Sequence, residues 1–256
     1  MVTRARDQAG DLVQALAALG ADVIAAPTIR IEPLADLGPL RTALADLARY
    51  QWLVFTSQNT VRVVCDRLPE WGLDSHALSK VPVAAIGPAT ADALAERGVT
   101  ASLVPERFVA EAVLEAIVRR GDVRGKRILL PRALEARDTL PDGLRARGAI
   151  VDVIPVYQAT PETGDGSVLA AEIRSGAIDA ITFTASSTVR HFVDLVGAEA
   201  ATSGRYAAAV IGPITAATAR SLGIGVAVEA AEYTVPGLVK ALVRHFGGRG
   251  RGKGEG

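Results

Sequence analysis

Cysteine occurs once in the 256 residues, at Cys65. A single thiol excludes an internal disulfide and a cysteine-ligated zinc site, and it suits a reducing cytoplasm. Net charge is missing too, since 28 basic residues balance 28 acidic ones. That argues against nucleic-acid binding by bulk charge, while leaving room for a local basic cleft. Aromatic residues are scarce at 4 %, whereas hydrophobic residues reach 49 %. Ala, Val, Leu and Gly dominate, which suits buried parallel sheets with closely docked helices. No apolar run approaches the roughly 18 residues of a membrane span, and Met1-Val2-Thr3-Arg4 does not begin a signal peptide. His76, His191 and His245 have neither metal-ligand spacing nor carboxylate neighbours, so they read as surface or helix-face residues. There is no Walker loop, no Gly-x-Gly-x-x-Gly after a strand and no Gly-x-Ser-x-Gly elbow. Gly87-Pro88 and Gly212-Pro213 are too short and rigid to cradle a pyrophosphate. The expectation is therefore no metal and no cofactor.

What is there is a chain written twice. Arg4, Leu12, Leu16, Gly20, Ala21, Val23 and Pro27 recur 128 positions on as Arg132, Leu140, Leu144, Gly148, Ala149, Val151 and Pro155. Phe55-Thr56 and Thr60-Val61-Arg62 recur at the same shift as Phe183-Thr184 and Thr188-Val189-Arg190. The shift then becomes 125, with Ile86-Gly87-Pro88-Ala89-Thr90 answered by Ile211-Gly212-Pro213-Ile214-Thr215. A repeat this long is a whole domain and not a solenoid unit, whose period is about 20–50 residues. Two similar α/β lobes enclose a cleft, the usual place for a ligand.

Within each repeat, strand, turn and helix alternate. Asp7 to Leu19 has helical spacing and stops at Gly20; Ala21 to Ala26 reads as a strand ended by Pro27. Trp52 to Phe55, Val83 to Ile86, Arg127 to Leu130, Ile178 to Phe183 and Ala207 to Ile211 read as buried strands, and Thr90 to Arg97 as a helix. Such βαβ alternation implies parallel sheets with right-handed crossovers. Pro27 to Pro33 and Pro155 to Pro161 break the rhythm at equivalent points of the two repeats. Proline at both ends keeps each segment extended. They read as twin connectors between lobes, or else as ordinary edge strands with proline ends. Gly247 to Gly256, rich in Gly, Arg and Lys, is expected to be a disordered tail.

The candidate site residues follow strands. They are Arg4, Thr56-Ser57-Gln58-Asn59, Thr90, Arg132, Ser186-Ser187 and Thr215. In open α/β sheets, ligands bind beyond the strands' carboxyl ends, where free N–H groups of helix N-termini favour anions. Each of these residues alone is explained as an N-cap; six such turns over two lobes point to an anion-rich ligand. Tyr157, on the second connector, can face the cleft and give or accept a proton, or simply pack.

Taken in order, these residues resemble the uroporphyrinogen-III synthase family. The similar runs are Val2-Thr3-Arg4-Ala5-Arg6, Leu53 to Asn59, Ala85 to Thr90, Leu129 to Ala133, Pro155-Val156-Tyr157, Ile181 to Ser187 and Ile211 to Thr215. The resemblance implies two parallel-sheet, flavodoxin-like lobes joined by a two-stranded linker, with a ligand cleft between them. The expected lobes are residues 1–28 plus 163–246, and 34–152. Residues 29–33 and 153–162 would connect them, because the first strand–helix unit crosses to the other lobe. It also implies cofactor-free closure of linear hydroxymethylbilane, with loss of water and inversion of ring D through a spiro intermediate. Positioning matters more there than strong acid catalysis. Tyr157 would assist hydroxyl departure, and Arg4, Thr56, Ser57, Asn59, Thr90, Arg132, Ser186, Ser187 and Thr215 would meet the substrate carboxylates. Ala185 stands where many relatives have serine, so no side chain supplies that contact. The expected protein is a cytoplasmic monomer with no nucleic-acid or membrane partner. The competing reading is a bilobed sensor that binds a polycarboxylate or tetrapyrrole without catalysis.

Overall fold

The computed structural model describes residues 1–162 and 165–247. Apolar runs of four residues become strands buried on both faces, as parallel sheets between helical layers require. Trp52–Phe55 and Ala207–Val210 are buried at every position. The strands are β1 (Ile29–Pro33), β2 (Trp52–Phe55), β3 (Val83–Ala85), β4 (Arg127–Ala133), β5 (Ile150–Pro161), β6 (Ala180–Phe183), β7 (Ala207–Val210) and β8 (Val226–Glu229). The helices are α1 (Gly10–Ala17), α2 (Gly38–Ala45), α3 (Gln58–Arg67), α4 (Pro88–Ala95), α5 (Ala110–Arg119), α6 (Thr139–Arg145), α7 (Gly166–Ser175), α8 (Ser186–Val196), α9 (Ala198–Ala201), α10 (Pro213–Ser221) and α11 (Val235–Gly247). Of the expected tail, Gly247 closes α11 and residues 248–256 lie outside the described residues, as does the lobe boundary at 163.

The chain divides into two units, Ile31–Ala159 and Met1–Arg30 with Thr160–Gly256. In the first, the sheet runs β1-β5-β4-β2-β3. From β5 to β3 all pairs are parallel, and Leu103 adds a bridge beyond β3 at Ala84. Leu53, Phe55, Val83, Ala85 and Leu129 face one core with Leu40, Val61, Val64 and Leu94, from α2, α3 and α4. Trp52, Val54, Ala84, Ile128 and Leu130 face the other with Val113, Ile117, Leu140 and Leu144, from α5 and α6. Period-two alternation in the strands thus feeds two helical layers.

The second unit repeats this plan. Its parallel sheet β6-β7-β8 is extended at β6 by Val2, which bridges both Thr182 and Ala25 in parallel. Ile181, Phe183, Ala208 and Val210 pack on Ala170, Phe192 and Ala216, from α7, α8 and α10. Val2, Ala209 and Val228 pack on Leu12, Leu238 and Leu242, from α1 and α11. The strand read at Ala21 to Ala26 shrinks to one bridge at Ala25, with Val2 N–H on Ile24 O at 2.8 Å and Ala26 N–H on Val2 O at 2.9 Å. Its partner is equally short, because a helical turn begins at Arg6.

Both sheets follow a 2-1-3-4-5 order in repeat terms, with an exchange. In Ile31–Ala159, the first two strands, β4 and β5, come from the second repeat and the rest from the first. In the other unit, Val2 and Ala25 come from the first repeat and β6, β7 and β8 from the second.

Candidate functional site

The switch point of a 2-1-3-4-5 sheet lies between strands 1 and 3, and ligands bind at its carboxyl end. In Ile31–Ala159 that point falls between β4 and β2. There the structure places Arg132 at the end of β4, Thr56 and Ser57 just after β2, and Tyr157 on β5. Ser57 is the N-cap of α3: its Oγ accepts the Asn59 backbone N–H at 3.0 Å. The same oxygen accepts the Tyr157 phenol proton, with Oη and Oγ 3.3 Å apart.

An irregularity in the β4–β5 ladder produces this meeting. Arg132 pairs with Pro155 but Ala133 pairs with Tyr157, so Val156 is an extra residue in β5. Strict alternation would send Tyr157 to the face of Val151 and Val153, on the α5–α6 side. The extra residue instead puts Tyr157 beside Val156 in the core under α3. The Tyr157 carbonyl is fixed by Leu134 N–H at 2.8 Å. Tyr157 is 6 % exposed. Burial pushes its phenol above the ordinary tyrosine range, while the side chains of Ser57, Asn59 and Thr60 pull the other way. The group therefore stays a neutral hydrogen-bond donor at physiological pH. Asn59 Oδ1 and Thr60 Oγ1 are buried at this helix start without a hydrogen-bond partner.

Arg132 is 8 % exposed and largely committed. Its Nη1 donates to Arg137 O at 2.9 Å and its Nη2 to Asp138 Oδ1 at 2.7 Å, leaving Nε buried and unpaired. Thr90 lies buried in the first turn of α4, its N–H on Gly87 O at 3.1 Å. The carboxyl edge of this sheet thus gathers Tyr157 with Ser57 and Asn59, and adds Thr56, Arg132 and Thr90 at neighbouring strand ends.

The other unit presents its own carboxyl edge. Arg4 follows Val2, half-buried, its Nε on Gln8 Oε1 at 3.4 Å; burial lowers its pKa and Asp11 opposes. Ser186 and Ser187 open α8, and Ser186 Oγ accepts the Thr218 hydroxyl at 2.8 Å. Thr215 is buried in the first turn of α10. Ala185, which has no polar side chain, precedes α8; Thr188 Oγ1 accepts the Ala185 N–H at 3.4 Å and donates to the Ala185 carbonyl at 2.7 Å.

Sequence reasoning missed Thr60 and Thr218, whose neighbours suggest nothing beyond helix. It also missed Phe108 and Tyr233, rings seated so closely on Gly87 and Gly212 that any side chain there would collide with them. A signal existed: Phe108 and Tyr233 are 125 apart, the shift that relates the two Gly-Pro turns. One correction concerns His191, which does have a carboxylate neighbour, Asp194 Oδ2, 3.6 Å from its Nδ1. Among the described residues no group of His, Cys, Asp and Glu can hold a metal, and no helix is long and apolar enough to cross a membrane.

Residues 10–240 match the family model described as uroporphyrinogen-III synthase HemD. The uroporphyrinogen-III synthase of Synechococcus elongatus is 35 % identical over 252 residues, covering 94 % of this chain and 93 % of that protein. Among solved structures, a mutant uroporphyrinogen III synthase from Thermus thermophilus aligns with TM-score 0.65 at 20 % identity, covering 96 % of this chain and 98 % of that one. The uroporphyrinogen-III synthetase of Helicobacter pylori aligns with TM-score 0.60 at 18 % identity, covering 88 % and 93 %. At these identities the two structures bear on the fold alone.

Proposed function

The chain belongs to the uroporphyrinogen-III synthase family, and from that membership we infer how its residues run the reaction. It is a lyase of tetrapyrrole biosynthesis that cyclises hydroxymethylbilane to uroporphyrinogen III with loss of water. The carbon–oxygen bond of the hydroxymethyl group breaks, and its electron pair leaves with the oxygen. That oxygen takes a proton and departs as water. The resulting azafulvenium cation is attacked by the substituted carbon of the terminal ring to give a spiro intermediate. The methylene bond that this carbon already carried then breaks to form a second azafulvenium. The ring's free α-carbon closes on it and loses one proton, which restores the donor.

Tyr157 is the donor in this reading. The observation that carries it is the buried phenol at the N-terminus of α3, held neutral by desolvation and already sharing its proton with Ser57. Helix N-termini and strand-end hydroxyls suit carboxylates. Thr56, Ser57, Asn59 and Thr90 supply these on one carboxyl edge, where Arg132 adds its charge with only Nε uncommitted, and Arg4, Ser186, Ser187 and Thr215 on the other. Because many contacts share the substrate's carboxylates, each makes a modest contribution. We place the enzyme in the cytoplasm as a monomer, without nucleic-acid or membrane partners. The single cysteine suits a reducing cytoplasm, and zero formal net charge argues against a nucleic-acid partner.

The test is incubation with freshly made hydroxymethylbilane, followed by resolution of the product isomers. Predominant type III product supports the reading; type I alone, the product of unassisted closure, would return the protein to the sensor class.

A further inference from the structure

We propose that Thr60 is the positioning residue of Tyr157: its hydroxyl donates to the phenol oxygen and favours release of the phenol proton. The proposal rests on Tyr157 being the proton donor.

The two repeats hold the same helix start in two chemical versions. In the second repeat the N-cap is Ala185, and Thr188, three residues on, turns its hydroxyl onto the Ala185 backbone at 2.7 and 3.4 Å. That threonine is structural, since it satisfies a helix end lacking a capping side chain. The position 128 before Tyr157 is Ile29, so no phenol stands there. In the first repeat the N-cap is Ser57, which caps α3 with its own side chain through the Asn59 N–H. Thr60 is thereby freed from capping. It is fully buried, and its Oγ1 has no hydrogen-bond partner. A residue at this third helical position reaches back to the N-cap, as Thr188 does, and the N-cap here holds the Tyr157 phenol.

Burying a hydroxyl without a partner is unfavourable, and an acceptor that forms during turnover satisfies it. The phenol oxygen is such an acceptor. Before proton transfer it needs only one acceptor for its hydrogen, and Ser57 provides it. After transfer it carries negative charge at the positive end of α3, and there a donor is worth most. Thr60 can donate that hydrogen bond; with Ser57 and Asn59 it acts in the direction that favours ionisation, against burial and the charge of Glu135.

The experiment is a pH titration of protein labelled with 13C at the tyrosine ring, with Tyr157→Phe identifying the Tyr157 signal. Thr60→Val should move the Tyr157 titration to higher pH, lower kcat about tenfold with KM within about twofold, and leave the product type III. Its melting temperature should hold or rise, because a partnerless hydroxyl is removed. Thr60→Ser should restore both titration and rate, and Thr188→Val should leave the Tyr157 titration in place. Thr60→Ala is read in the same way if valine disturbs folding. A Tyr157 titration in the hydroxyl-free variants that superimposes on the parent overturns the proposal, whatever the rates. A shifted titration alongside full-rate Tyr157→Phe turnover upholds the contact and removes Tyr157 as donor.

Discussion

Replacing Tyr157 by phenylalanine removes one oxygen and leaves the ring in the core under α3. The lost hydrogen bond to Ser57 is long, at 3.3 Å. Its net contribution to folding is therefore about 0.5–1 kcal/mol. Against a total stability on the order of 5–15 kcal/mol, the folded fraction does not change measurably. If the phenol gives its proton to the departing hydroxyl, turnover should fall about 10- to 10³-fold, or about 1.4–4 kcal/mol of barrier. The lower half of that range is favoured, since the leaving step is intrinsically easy and water can substitute. The assay is initial consumption of freshly made hydroxymethylbilane, with quenched products oxidised and separated by isomer. Type III should still predominate, because isomer choice rests on positioning. Burial raises the phenol pKa, so the donor form persists above the ordinary value of about 10. An alkaline limb in kcat with a midpoint well below 10 would thus belong to another group. Full-rate turnover by the variant would refute the donor role and leave Tyr157 as a packing residue.

Three other outcomes are expected. Gly166 opens α7 with its Cα against the Leu195 carbonyl, so Gly166→Ala should cost about 3 kcal/mol by urea unfolding, and a change below about 0.5 kcal/mol would deny the close approach. Burial, opposed by Arg97 and reinforced by Asp66, pushes the Cys65 thiol up to about 11. Iodoacetamide at pH 8.5 should therefore label the native protein at least about 100-fold more slowly than the denatured one. The same shift gives a stability that is complete below about pH 8.5, where the unfolded thiol begins to ionise, and lost as pH rises toward 11. At the other end of the scale, burial raises the Asp152 carboxyl, but hydrogen bonds from Arg127 and Tyr50 and the charges of Arg127 and Arg49 override it and hold it low. Its stabilisation is present above about pH 4 and is lost as pH falls below that; thermal melts of Asp152→Asn should show a flatter acid limb.

The strands buried on both faces were legible because nothing but apolar residues can fill them, as at Trp52–Phe55 and Ala207–Val210. Ala21 to Ala26 looked nearly as apolar, Asp22 apart, yet pairing is a property of two segments, and its partner offers Val2 alone. β8 was not read as a strand: its apolar run, Val226-Ala227-Val228, is only three residues long and sits between Gly225 and Glu229. The proline-bracketed segment at 155–161 was legible as extended, but not that it continues the strand begun at Ile150. The hydroxyls at strand ends could be marked from sequence, because N-caps and anion sites use the same residues. Which of them meet Tyr157 could not, because the answer turns on Val156 being one residue too many for the ladder. Thr60 was invisible for a related reason: its role depends on what Ser57 is already doing.

The exchange of strands between repeats has a consequence for synthesis on the ribosome. Ile31–Ala159 is continuous in sequence, so everything its sheet needs has been made once Ala159 is added. Residues 1–30 are made first but finish last. Val2 and Leu12 must wait for Thr182 and Leu238 before their apolar faces are covered. At about 5–20 residues per second, the interval from Arg30 to Leu238 is roughly 10–40 s. Throughout that time this amphipathic nascent segment has only its own bridge between Val2 and Ala25, and the apolar face that α11 covers in the finished fold stays open to solvent or to a chaperone.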